Sequence, residues 1–459
     1  MTRARQDSER AAAYRVLLDV ETKGAYTNLA LRGDGATPFV RELVYGVVRR
    51  KRTLDRVLAD YLTQPAGKLR PPERTLLRMG LYQLLYMDSV PDYAAVSETV
   101  ALAKRAAHGR EGFVNGVLRR AARDCALRDE PAGRPGGTLR PSSSREIPCG
   151  LPSGGLALQL ADAYSFEPWI VERWLTEFED AGRVERLLAA LNETPRLYIR
   201  VNPLKTDPEA LRATLAALGF FVGAGLFVEG EGVLGSAPFR DGLFSVQDPG
   251  AQIVAAKLGA LPGETVVDVC AAPGGKACAV AEGMRGEGRV IAADVNPGRV
   301  RLIENEAKRL GLSCVEARVR DARDADPALI GQADRVLCDV PCSGLGTARR
   351  RPEVKYKTEA DAAALPPLQH EILDAAARYV KPGGALLYAT CTILRAENEE
   401  VAAAFLETHP AFRKQEEALL LPDADGTDGF YYCLMTNEEA PGEPPLVLPG
   451  KIERFASPS

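Results

Sequence analysis

The chain has 459 residues, enough for about three domains at roughly 150 residues each, and 46% of them are hydrophobic and 26% charged. That balance is ordinary for a globular protein and excludes a chain disordered throughout, a collagen-like chain and a simple coiled coil. The net charge of −4 is unevenly spread: residues 1–130 hold 23 Lys and Arg against 16 Asp and Glu, and the rest holds 35 against 46. A locally basic end is compatible with phosphate binding, and equally with a merely solvated face.

No stretch approaches the ~20 apolar residues of a membrane helix. The opening MTRARQDSER lacks the apolar core of a secretory signal, which points to a cytoplasmic protein. The nine cysteines are odd in number and scattered, so no disulfide framework is expected. His108, His370 and His409 stand far apart, and neither C-x-x-C nor H-E-x-x-H occurs, so no metal site is expected.

Residues 1–128 read as an all-helical domain of five to seven helices. Leu43, Val44, Val47 and Val48, then Leu54, Val57, Leu58, Tyr61 and Leu62, follow helical spacing. Residues 129–155, rich in Pro, Gly and Ser, read as a linker. Residues 156–245 read as a small α+β segment, with a helix around Trp169 and Trp174, a strand at RLYIRVN and a helix at DPEALRATLAALGF.

Residues 246–459 alternate between strands and helices. Strands are predicted at 266–270, 289–295, 314–320, 335–340, 385–391 and 430–435. This pattern predicts a doubly wound, largely parallel, Rossmann-like sheet, which binds ligands beyond the carboxyl ends of its strands.

Five features lie at such ends. Cys270-Ala271-Ala272-Pro273-Gly274-Gly275-Lys276 follows the first of these strands and opens a helix. Its glycines permit a tight turn and close approach of backbone to a ligand. Asp294 ends the next strand, nineteen residues past Gly275. An acid at about that distance suits ribose hydroxyls, although it also suits a helix N-cap. Asp321 ends the third strand, where it reaches toward an adenine or simply forms a turn. Asp339-Val340-Pro341-Cys342 delivers an acid and a thiol into a glycine loop, and Thr390-Cys391-Thr392 delivers a second thiol.

Free cysteines are usually core filler. Two at one sheet edge beside a nucleoside pocket instead suggest a nucleophile. Thiol, carboxyl and nucleoside cofactor together suit methylation at cytosine C5, because a thiolate adding to C6 makes C5 able to attack an electrophilic methyl group. Residue types alone leave open which thiol attacks.

DVCAAPGGKA, AADVNPGRV, CDVPCSGLGTARRRPEVKY and YATCTILRAENEE closely resemble the Nol/Nop/Sun RNA cytosine-C5 methyltransferases. FVRELVYGVVRR, LRMGLYQLLYMDSVPDYAAVSETV and FVNGVLRR resemble the NusB-like domain of the RsmB/Sun branch. The resemblance implies RNA-binding roles for domain 1–128 and segment 156–245, and a methyltransferase domain at 246–459. It implies S-adenosylmethionine as cofactor and 16S rRNA as partner, naked or in a partly assembled subunit; a monomer is the default expectation.

On the same grounds Cys391 is the nucleophile and Cys342 the releasing thiol. Asp339 contacts the cytosine or the cofactor edge. The 270–276 loop, Asp294 and Asp321 hold the cofactor, with Arg299 a further candidate. Arg349, Arg350, Arg351 and Lys355 are candidate RNA contacts, with Lys357 beside them and Arg49, Arg50, Lys51 and Arg52 as a second basic run. Alternatives left open are the same chemistry on tRNA and a non-catalytic RNA-binding factor. Two departures from the family pattern are Thr392, for the usual Ser, and Ala277-Cys278-Ala279, for the usual Thr-Thr-His.

Overall fold

The computed structural model describes residues 3–31, 37–126 and 155–438. Most of the predicted linker therefore lies outside the described residues, as does the chain beyond 438. Two compact units emerge. The first comprises Met1–Glu193 with Arg350–Thr358, and the second Thr194–Arg349 with Glu359–Ser459. The α+β segment 156–245 is thus shared between them: three helices, Leu156–Tyr164, Pro168–Phe178 and Ala181–Ala190, belong to the first unit and the strands to the second.

The first unit is helical. Thr37 caps the helix Pro38–Arg49 by accepting from Val40 N at 3.3 Å, with proline at the first position, where no amide is needed. Pro71-Pro72 likewise starts a helix, Pro71–Tyr86, which is buried along most of its length. Leu43, Leu54, Leu58, Leu76 and Leu77 are fully enclosed in one core, each stabilising the unit by about 1.5–3 kcal/mol.

The second unit has two sheets. Strands β1 (Leu197–Val201), β2 (Phe221–Val222), β3 (Phe227–Glu229) and β4 (Phe244–Val246) form a small antiparallel sheet in the order β2-β3-β1-β4. The larger sheet contains β5 (Thr265–Asp268), β6 (Arg289–Asp294), β7 (Val315–Val319), β8 (Ala333–Asp339), β9 (Val380–Thr390), β10 (Phe412–Leu420) and β11 (Phe430–Asn437). Its order is β10-β11-β9-β8-β5-β6-β7.

Strands β5 to β9 are parallel, and β11 and β10 close one side in antiparallel pairing. Side chains alternate between two buried faces: Val266, Leu337 and Leu387 pack on one, Val267, Val336 and Leu386 on the other. Sequence order reverses between β5 and β8, and the carboxyl ends beside that point are where an open α/β sheet offers a binding crevice.

Strand β10 was not predicted. Arg413, Lys414, Glu416 and Glu417 interrupt its apolar pattern, and a bulge lies between Lys414 and Glu416. Charges and bulges are the usual protection of an edge strand against unwanted pairing.

Candidate active site

The turn after β5 is built around Gly274, whose φ of 106° is open to glycine and strained for other residues. A Cβ there would stand 3.2 Å from Ile303 Cα, so the turn packs directly on the helix Pro297–Leu310. Ala271 N donates to Ala293 O at 2.8 Å and Gly274 N to Ala271 O at 2.7 Å. Arg200 on β1 steadies the next step, donating to Gly275 O and to Glu282, each at 2.8 Å. Ala277 and Cys278 are wholly buried in the apolar core. The missing polar groups of the family pattern are therefore replaced by packing.

Asp268 opens the DVCAAPGGK motif, and the sequence alone gives it no role. It ends β5, is 1% exposed, and its Oδ2 has no hydrogen-bond partner among the described residues. Burial first, then the neighbouring Asp339 carboxylate, push its ionisation up to about 8. A buried carboxylate oxygen left without a donor fits a site that receives a polar or cationic ligand.

The N-cap alternative for Asp294 is excluded. Asn296 caps the helix Pro297–Leu310 by accepting from Gly298 N and Arg299 N. Asp294 instead accepts from Asn296 N at 2.9 Å and lies 3.3 Å from Arg299, which also donates to Ala272 O at 2.8 Å. Arg299 thereby joins the Asp294 end to the glycine turn. Asp321 lies past β7 and is held by Arg323 at 2.7 Å; hydrogen bonds from that guanidinium and from the Arg323 backbone N–H lower its ionisation to about 2.

The two thiols come from the ends of neighbouring strands β8 and β9. Cys342 Sγ and Cys391 Sγ are 3.3 Å apart, and Cys391 N also donates to Cys342 Sγ. The hydrogen bond to Cys391, with burial second, holds the Cys342 thiol well above its ordinary value.

Beside them Lys276 Nζ donates to Asp339 Oδ2 at 2.7 Å and stands 5.0 Å from the Phe430 ring centre. Burial works against this ammonium, but Asp339 outweighs it with help from Cys391, and the lysine stays charged. A fixed cation beside a thiol favours the thiolate. Thr392 keeps the bond a serine would make: its hydroxyl meets Ser343 Oγ at 2.6 Å, both wholly buried.

The basic runs need correction. Lys355 lies in the core of the first unit, 0% exposed, and donates to Arg49 O, Tyr164 O and Asn192 Oδ1 at 2.7–3.0 Å. Burial drives its ionisation well below the usual lysine range. It is a structural donor and not a surface contact. Arg349 is also buried, paired with Asp428 at 3.0 Å. Arg350 and Lys357 are half-buried, and Arg351 is exposed. In the second run Arg49 is buried, Arg50 lies over the Tyr86 ring, Lys51 over Tyr356, and Arg52 binds Asp162 at 2.7 Å.

Three family models match the chain. The NusB family matches residues 7–123, the ferredoxin-like domain of RsmF/B-like methyltransferases residues 166–230, and 16S rRNA methyltransferase RsmB/F residues 255–436. The probable ribosomal RNA small subunit methyltransferase B of Bacillus subtilis is 36% identical, covering 94% of this chain and 99% of that protein. The protein of the same description from Synechocystis is 37% identical, with 89% and 91% covered. The crystal structure of PH0851 superposes with a TM-score of 0.75 at 26% identity, covering 93% of this chain and 98% of that one. No helix among the described residues is long and apolar enough to cross a membrane. With a NusB domain at its N-terminus and a methyltransferase sheet carrying the thiol site, this RNA methyltransferase belongs to the RsmB/F family of 16S rRNA methyltransferases.

Proposed function

We propose that the enzyme methylates C5 of a cytosine in 16S rRNA through a transient bond between Cys391 and C6 of the base. S-adenosylmethionine, on which the family depends, supplies an electrophilic methyl group when bound. The orphaned Asp268 oxygen, the glycine turn and Asp294 fit it. Asp268 would receive its cationic end and Asp294 its ribose hydroxyls.

The observation that carries this reading is the pair of thiols 3.3 Å apart beside the Lys276–Asp339 ion pair. Cytosine C5 is a poor nucleophile until a sulfur adds to C6. Lys276 favours the thiolate of Cys391, and Cys342 donates its S–H to that sulfur. As the C6–S bond forms, the electron pair moves into the ring and C5 becomes enamine-like. Asp339 accepts from the exocyclic amino group of the base.

After C5 has taken the methyl group, its proton passes to a base, the C5–C6 double bond re-forms and the C6–S bond breaks. Cys342, freed from its partner while Cys391 is bonded to carbon, assists this release. The target base must leave its stack to reach the thiols, and exposed Arg351 contributes a phosphate contact.

The test is a covalent trap. Cys342→Ala protein is mixed with S-adenosylmethionine and deproteinised 16S rRNA and run on a denaturing gel beside wild type and the Cys342→Ala/Cys391→Ala double variant. The expected result is a protein–RNA adduct in the single variant and none in the double. Methyl transfer by wild type without any trapped adduct would overturn the assignment of the thiols. Absence of transfer altogether would overturn the rRNA substrate.

A further inference from the structure

Two buried polar residues follow Cys391 at a short distance in sequence, and neither belongs to the machinery described so far. Glu397 ends the 3-10 turn Arg395–Glu397, and Asn398 precedes the helix Glu399–Thr408. They are 1% and 0% exposed.

Glu397 Oε2 accepts from Ser343 N at 2.8 Å and from Gln369 Nε2 at 2.9 Å. Gln369 Nε2 also donates to Pro341 O at 3.0 Å. Pro341 and Ser343 are the two neighbours of Cys342. Asn398 Oδ1 accepts from Thr390 Oγ1 at 2.6 Å, and Asn398 Nδ2 donates to Thr392 O at 3.2 Å. Thr390 and Thr392 are the two neighbours of Cys391. Asn398 therefore brackets Cys391 from both sides, and Glu397 brackets Cys342 directly at Ser343 and through Gln369 at Pro341, neither bonding to a sulfur. The brackets meet in the Ser343–Thr392 hydroxyl pair.

We propose that Glu397 and Asn398 are positioning residues that act separately, Glu397 on the releasing thiol Cys342 and Asn398 on the attacking thiol Cys391. This rests on the division of labour between the thiols proposed above. Small displacements of reacting groups cost rate steeply, about 100-fold for 1 Å. Loosening one bracket should slow one step and leave the other.

The experiment compares Glu397→Ala, Glu397→Gln, Gln369→Leu, Asn398→Ala and Asn398→Ala/Cys342→Ala with wild type and Cys342→Ala, using S-adenosylmethionine and deproteinised 16S rRNA. Adduct and methyl transfer are both measured. Glu397→Ala should accumulate adduct while turnover falls about tenfold or more. Glu397→Gln, which keeps an acceptor oxygen, should restore turnover. Gln369→Leu, which removes the bonds to Pro341 O, Glu397 Oε2 and Tyr388 but leaves Glu397 on Ser343 N, should trap adduct in the same sense and serves if Glu397→Ala does not fold.

Asn398→Ala should lose methyl transfer without trapping, and the double variant should form adduct about tenfold more slowly than Cys342→Ala. If Cys342→Ala traps adduct but neither Glu397→Ala nor Gln369→Leu does, the role of Glu397 is overturned. If the double variant traps as fast as Cys342→Ala, the role of Asn398 is overturned. If Cys342→Ala itself fails to trap while wild type transfers methyl, the underlying division of labour is what has failed.

Discussion

Cys342 and Cys391 face each other across the ends of β8 and β9 with 3.3 Å between their sulfurs. A disulfide needs about 2.05 Å, so closure by little more than an ångström joins them. A dithiol oxidant such as diamide, itself reduced to the hydrazine, should take two electrons and two protons from the pair and form this bond. Methyl transfer should fall about tenfold or more and return with dithiothreitol. Peptide mapping of the oxidised protein should recover the two peptides linked; their recovery unlinked from fully inactivated enzyme would refute the prediction.

Asp268 makes stability depend on pH. In the unfolded chain it ionises near pH 4, and in the fold near 8. Between these values the folded protein holds a proton that the unfolded chain has released. Stability therefore falls as pH rises through that window and levels off above it. Asp268→Asn should remove this dependence and raise the melting temperature at pH 8 in the absence of cofactor. It should also weaken S-adenosylmethionine binding about tenfold, read by calorimetry. A variant less stable than wild type at pH 8 would contradict the assignment.

Gly346 is a backbone crossing point. Its carbonyl accepts from Gly429 N at 2.8 Å, and its amide donates to Cys391 O at 3.1 Å. A Cβ added there would fall 2.1 Å from Gly429 O. Gly346→Ala should cost about 1–3 kcal/mol in urea unfolding and reduce methyl transfer more than Gly235→Ala, at a position with nothing near the added Cβ and no positive φ, does.

Two members of one basic run should behave in opposite ways. Lys355→Met removes one shared donor from three buried oxygens and should destabilise the protein by about 1–3 kcal/mol in urea unfolding. Arg351→Ala should leave stability unchanged and reduce the slope of log K against log salt for rRNA binding by about 0.7–0.9. An unchanged slope would remove Arg351 from the interface.

The parallel strands β5, β6, β8 and β9 were legible because they are largely buried on both faces and read as apolar runs between turns. Strand β10 was hidden because its edge position favours charge. The candidate site was legible where the chemistry-bearing residues fall at the carboxyl ends of predicted strands, as at Cys391, Cys342 and the glycine turn. It was not legible where the role depends on what surrounds the side chain. Lys355 and Arg351 look alike in a basic run, yet one is enclosed and the other open. Asp294 stayed open between a ribose contact and a helix cap until the hydrogen bonds showed that Asn296 holds the cap. Asp268 and Glu397 carry ordinary carboxylates, and only burial and bond partners mark them out.

The helical unit is not one continuous stretch of chain. The nine residues Arg350–Thr358 belong to it, although residues of the other unit lie on both sides of them in sequence. A fragment cut at Glu193 would retain every α-helix of that unit and still lack the buried Lys355 amino group, leaving carbonyls at Arg49 and Tyr164 lining a hole. Supplying those nine residues as a separate peptide would then act as a ligand does on a receptor, with binding and folding as one equilibrium.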